Sequence, residues 1–180
     1  MCKKIVSVFC IILLLAAQSF TSSAAMLSGY LWPSRTITYS YSRSESSNFR
    51  NAVTASANAW SSKTIINYSY DSSGNGKVYA MEQYVTGVAW AGTCTPHKSG
   101  GFIDSAVATI NSYYTSTYEY NKVRSVICHE LGHALGMDED WVNKKSIMWP
   151  NVSNYDNYGI YVPQTVDINY IYGGYKNIGN

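Results

Sequence analysis

Residues 126–141, VICHELGHALGMDEDW, constrain this chain more than any other stretch. Val123, Ile127, Leu131, Ala134 and Leu135 recur at spacings of three and four, which predicts an amphipathic helix over Asn121 to Gly136. Gly136 is a natural left-handed stop for it. His129 and His133 are one helical turn apart, so their imidazoles project side by side, where two ligands of a tetrahedral zinc must sit. Glu130, between them, can reach a metal-bound water rather than the metal. Zinc lowers the pKa of its water from about 15.7 toward about 7, the glutamate takes the proton, and the hydroxide attacks a carbonyl polarised by the same metal. The apolar face of the helix points away from these groups and would hold them rigidly against a sheet.

The rest of the chain supplies that sheet. RTITYSYS at 35–42 alternates Ile37, Tyr39 and Tyr41 against small polar residues, the period of a half-buried strand. From Ser47 the period changes: Phe49, Ala52, Val53, Ser56 and Trp60 predict a helix over 48–61, capped by Ser46 or Ser47. Further strands are expected at 65–70, 77–83, 85–91 and 102–110, with DSSGNG at 71–76 as a turn. A last helix runs from about Gln164 to Tyr172 and ends at Gly173-Gly174. This order predicts an α+β fold: one mixed, twisted five-stranded sheet packed on two long helices, with a small irregular lower subdomain after Gly136 and a C-terminal helix. No internal repeat or linker marks a second domain.

Residues 1–25 stand apart. Lys3 and Lys4 precede an apolar run from Ile5 to Ala17, and Ser23-Ala24-Ala25 offers small residues of the kind a signal peptidase accepts. They are read as a cleaved signal peptide, leaving residues 26–180 as one secreted, extracellular domain with no membrane span. Its removal takes two lysines and no acids, so 13 basic against 11 acidic residues becomes 11 against 11. A near-neutral mature chain gives no charge-based case for nucleic acid. Cys2 and Cys10 leave with the leader, and Cys94 and Cys128 remain as a candidate disulfide in an oxidising compartment. The 17 tyrosines suit a hydrogen-bonded, strand-containing secreted protein.

HELGHALGMDED followed by SIMWP resembles the zinc-binding helix and methionine turn of the metzincin metalloproteases, and within them is most similar to the matrixins. WPSRTITYSYS, FRNAVTASANAWSS, GFIDSAVATIN and PQTVDINYIYGGY fall in the order of the matrixin strand, helix, late strand and C-terminal helix, so the likeness spans essentially the mature chain. It implies a secreted zinc endopeptidase: His129 and His133 as ligands of one catalytic zinc, Glu130 as base, Gly136 as turn glycine and Met148 as the apolar floor beneath the metal. The family places its third ligand, His or Asp, three residues after the glycine. Glu139 stands there, flanked by Asp138 and Asp140 as alternatives. A carboxylate is an accepted zinc ligand, but an anion in place of an imidazole weakens the metal's Lewis acidity.

The resemblance implies a peptide or protein substrate lying along an edge strand, Val85 to Ala91, in a monomer. Pro150 to Tyr161 would wall the specificity pocket, with Tyr155, Tyr158 and Tyr161 either lining it or packing elsewhere. The loop at 71–76 is short and lacks histidine, so a second zinc is not expected and calcium is not indicated. His97 reads as an ordinary loop residue at 92–101. A disulfide tying Cys94 to Cys128 is preferred over a Cys94 thiolate on the metal. Matrixin zymogens use a propeptide cysteine, and no room for a propeptide separates Ala25 from the first strand. The rival reading is a secreted zinc-binding effector or binding protein with this fold and little turnover.

Overall fold

The computed structural model describes residues 27–180, so the expected signal peptide lies outside the described residues. In chain order the elements are β1 (Thr36–Tyr41), α1 (Ser47–Lys63), β2 (Asn67–Tyr70), β3 (Val78–Gln83), β4 (Gly92–Ser99), β5 (Phe102–Asn111), α2 (Ser112–Thr115), α3 (Tyr120–Ala134), α4 (Ser153–Tyr158) and α5 (Thr165–Tyr175). The strands form one five-stranded mixed sheet in the order β2-β1-β3-β5-β4. All pairs are parallel except β4 with β5. That pair is a hairpin turning at Gly100 and Gly101, whose φ of 58° and 85° suit a two-residue turn matching the strand twist. The fold is α+β, as the order of elements implied. Among the described residues, no helix is long and apolar enough to cross a membrane.

α1 forms because its apolar positions share one stripe and because Ser46 caps it, accepting a bond from the Phe49 N–H at 3.1 Å. Phe49, Ala52, Val53, Ala57 and Trp60 are buried against α3 and the sheet.

Four aromatic side chains from four parts of the chain then fasten α3. The Trp60 indole donates to the Cys128 carbonyl at 2.9 Å, and the Tyr68 hydroxyl to Leu131 at 2.9 Å. The Trp32 indole donates to Ala134 at 2.7 Å, and the Tyr175 hydroxyl to Leu135 at 2.8 Å. The last turn of a helix leaves carbonyls without intrahelical partners, and two of these donors, Trp32 and Tyr175, satisfy carbonyls at that end. Each bond is worth about 1 kcal/mol net, and together they fix the helix along its axis and about it.

Three expectations fail here for identifiable reasons. Val85 to Ala91 is not a strand. Gly87 sits at φ +76°, and the buried Asn111 amide takes the place of a partner strand, accepting from the Val85 N–H and donating to the Val85 and Trp90 carbonyls. The edge strand is instead Gly92–Ser99, where Gly, Pro and Ser read as loop; an edge strand tolerates proline because one side makes no ladder bonds. His97 therefore lies on the exposed face of β4 rather than in a loop, away from the metal-ligating candidates. Gly173-Gly174 likewise does not stop α5, which continues to the buried Tyr175. A Cβ on Gly174 would sit 2.5 Å from Leu27 Cδ1, so that glycine serves close packing on the N-terminal segment.

Candidate active site

α3 carries His129 and His133 into a cleft of about 550 Å³ between β4 and the segment after Gly136. The helix ends at Ala134, and Gly136, at φ +83°, turns the chain back. A short bridge from Leu27 to Met137 and a 2.7 Å bond from the Ser28 N–H to the Gly136 carbonyl hold the returning strand. Glu139 follows. Its Oε2 lies 3.5 Å from His129 Nε2 and its Oε1 lies 3.5 Å from His133 Nε2, while the two Nε2 atoms are 3.0 Å apart.

Of the three consecutive acids, Glu139 is the one that meets both imidazoles. Asp138 is exposed. The buried Asp140 spends Oδ1 on the N–H groups of Val142 and Asn143, shaping the loop toward the methionine turn.

The donor set suits a metal. Nδ1 of His129 is bonded to the Ile147 carbonyl at 2.9 Å, and Nδ1 of His133 to the Met137 carbonyl at 2.7 Å. A carbonyl only accepts, so each Nδ1 carries a proton, and in its neutral form each histidine turns an Nε2 lone pair inward. Two lone pairs 3.0 Å apart repel unless a metal ion or a proton lies between them. Glu139 Oε2 is also buried without a protein hydrogen-bond partner. Tetrahedral zinc with bonds of about 2.0–2.2 Å needs donors about 3.3 Å apart, close to the triangle observed. His129, His133 and Glu139 are the one such donor group among the described residues.

Glu130 faces the same cleft from the next position on α3. It is 4 % exposed, and its Oε2 has no hydrogen-bond partner. Burial raises its pKa, the two histidines oppose that, and Glu139 adds to it, leaving the carboxyl above its ordinary range. β4 makes room for it at Gly92, where a Cβ would stand 2.5 Å from Glu130 Oε1. Met148 is buried under the helix, and Gly132 gives it space: a Cβ there would stand 2.3 Å from its Sδ.

The Cys94–Cys128 disulfide does not form, and both thiols are free. Cys128 and Glu130 are two residues apart on α3, hence about 200° apart around it. Cys94 lies on β4 within reach of the Glu130 charge, whereas Cys128 is buried on α3 in a position turned away from Glu130. Burial first, and then the Glu130 charge, push the Cys94 thiol well above its ordinary range. Tyr155 pairs with Tyr161 and bonds Glu119, and Tyr158 is half exposed. These three leave the cleft to Tyr114 and Tyr118, which spacing did not single out; Pro150, Asn151, Val152 and Asn154 do line it.

Burial lowers the His129 pKa, but the contact with Glu139, the Glu130 charge and the Ile147 carbonyl outweigh it and lift the group to about 9. Burial raises Glu139, while both histidines pull it down to about 2. The two shifts describe one contact. A raised histidine stabilises the fold below its ordinary value of 6.5, and that is lost as pH rises through about 9. A depressed glutamate stabilises above 4.5, and that is lost as pH falls through about 2. The contribution of this contact, read as the thermal midpoint of chelator-stripped wild type minus that of Glu139→Gln, should therefore be largest between pH 4.5 and 6.5 and fall on both sides. A difference between the two that stays constant from about pH 5 to 9 would contradict this contact.

The sequence profile of the leishmanolysin peptidase family matches residues 78–168, from β3 through the donor set into α5. The solved structure of myroilysin shares the fold, with a TM-score of 0.59 at 13 % identity over 83 % of this chain and 97 % of that one. No curated protein matches significantly.

Proposed function

Because the chain belongs to the leishmanolysin family of metallopeptidases, whose profile covers just over half of it, we propose that it is a secreted zinc endopeptidase of the short, matrixin-like kind. In this reading His129, His133 and Glu139 hold one zinc ion and Glu130 is the general base. The observation behind it is the convergence of three donor atoms beside a buried carboxylate with a free oxygen, all in one cleft.

Bound there, zinc would polarise the scissile carbonyl and acidify a water. The chain's own groups do the rest. His129 and His133 are held by their Nδ1 bonds, so their donor atoms need no reordering. Glu130 takes a proton from the attacking water at Oε2 and returns it to the leaving amine nitrogen; its raised pKa brings it nearer the pH at which both transfers are efficient. Substrate adds to the free edge of β4 in extended form, rather than to 85–91. Glu139 brings a negative charge where many zinc sites have a neutral imidazole, which tempers the metal as an electrophile.

That charge favours a second reading, a secreted zinc-binding protein with little turnover. Purified protein loaded with zinc should cleave a generic denatured protein substrate, lose that activity to a chelator and regain it on zinc addition. Glu139→Ala should lose stoichiometric zinc. Zinc-replete protein that cleaves nothing sinks the enzyme reading, and full zinc retention in Glu139→Ala moves the third ligand to a neighbour.

A further inference from the structure

Ser146, Met148 and Asp167 are all fully buried, and a line of hydrogen bonds runs through them to His129. His129 Nδ1 donates to the Ile147 carbonyl at 2.9 Å. That carbonyl shares a peptide unit with the Met148 N–H, which donates to Ser146 Oγ at 2.9 Å. The Ser146 hydroxyl donates to Asp167 Oδ1 at 2.5 Å. The direction is settled at every link: a peptide carbonyl only accepts, a peptide N–H only donates, and an ionised carboxylate only accepts, so the serine proton must point at Asp167. The far end is anchored too. Asp167 Oδ2 accepts from the N–H groups of Gln164 at 2.7 Å and Ile147 at 3.1 Å, tying the methionine turn to the first turn of α5.

We infer that Asp167 is a positioning residue that acts through Ser146 and the Ile147–Met148 peptide to orient His129 and strengthen it as a metal donor. This rests on the role proposed above for His129. Hydrogen bonds aligned in one direction polarise one another. An imidazole whose outer N–H is drawn toward an anion is more basic at its metal-facing nitrogen. Here a serine and a peptide unit span the distance that a carboxylate touching the histidine would otherwise cover. His133 serves as an internal control: its Nδ1 donates to the Met137 carbonyl at 2.7 Å, and no hydrogen bond of the described residues leads on from there to a carboxylate.

The test is made on the full mature chain as wild type, Asp167→Asn and Ser146→Ala. The Nδ1–H proton resonances of both histidines are recorded in metal-stripped protein, and zinc affinity is measured by competition with a chromophoric chelator. In both variants the His129 resonance should shift toward that of a weaker hydrogen bond while His133 stays in place, and zinc affinity should fall about tenfold. The double variant should lose no more than the worse single one, because one chain is broken only once. If Asp167→Asn does not fold, Ser146→Ala still decides, since it leaves the Oδ2 bonds to Gln164 and Ile147 intact. An unmoved His129 resonance, or equal movement of both histidines, overturns the inference. Wild type that binds no zinc overturns the proposed function instead, while the two resonances still report on the relay.

Discussion

Glu130→Gln should slow peptide hydrolysis by about 10²- to 10⁴-fold while leaving the zinc content of the protein unchanged. Glutamine keeps the shape that Gly92 accommodates on β4 and keeps the oxygen nearest it, but has no carboxylate to take a proton. None of the three donor atoms belongs to this residue, so the metal has no reason to leave. The same variant should be at least as heat-stable as wild type, because a buried group whose charged carboxylate form is destabilised by burial gives way to a neutral one. Turnover and metal content measured on one preparation check both halves. Activity within tenfold of wild type would place the base elsewhere in the cleft.

Gly136→Ala should be strongly destabilising and should also disturb the site. Its φ of +83° disfavours any side chain, and the added Cβ would stand 2.2 Å from the Tyr30 carbonyl oxygen and 3.2 Å from Ile103 Cδ1. Backbone cannot yield as a side-chain tip can. A left-handed alanine with such a clash should cost about 2–4 kcal/mol, or about 5–15 °C in thermal midpoint for a chain of this size. The loss would not stop at stability, since Gly136 directs Met137 onto Leu27 and sets where Glu139 arrives. Zinc affinity should fall with the midpoint. A variant with normal midpoint and normal zinc would show that Tyr30 does not fix this turn.

The parts legible in the sequence were those governed by one period or one short motif. The stripe from Phe49 to Trp60 and the one from Val123 to Leu135 became α1 and α3, and the one-turn spacing of His129 and His133 survived as adjacent donor atoms. Glu139 was legible as a position after a turn glycine; its contact with both imidazoles depended on the loop that Asp140 shapes.

What escaped was set by partners far along the chain. Val85 to Ala91 is apolar enough to read as a strand, but Asn111 claims its backbone from 26 residues away. Pro96 argues against a strand wherever both sides are paired, and β4 has one side free. Cys94 and Cys128 looked like a pair by elimination, yet both thiols are free, one half-buried on β4 and the other buried on α3. The relay from Asp167 to His129 leaves no periodic trace, because it joins groups 38 residues apart through a peptide bond that any sequence possesses.

The four aromatic donors on α3 also bear on the order of events when the protein is made. A zinc finger gathers its ligands only when the metal arrives, so metal binding and folding are one reaction. Here Trp32, Trp60, Tyr68 and Tyr175 hold the ligand helix by bonds that involve no metal. On the reading proposed above, the fold that positions His129 and His133 does not wait for the ion, and metal loading is expected as a step separate from folding.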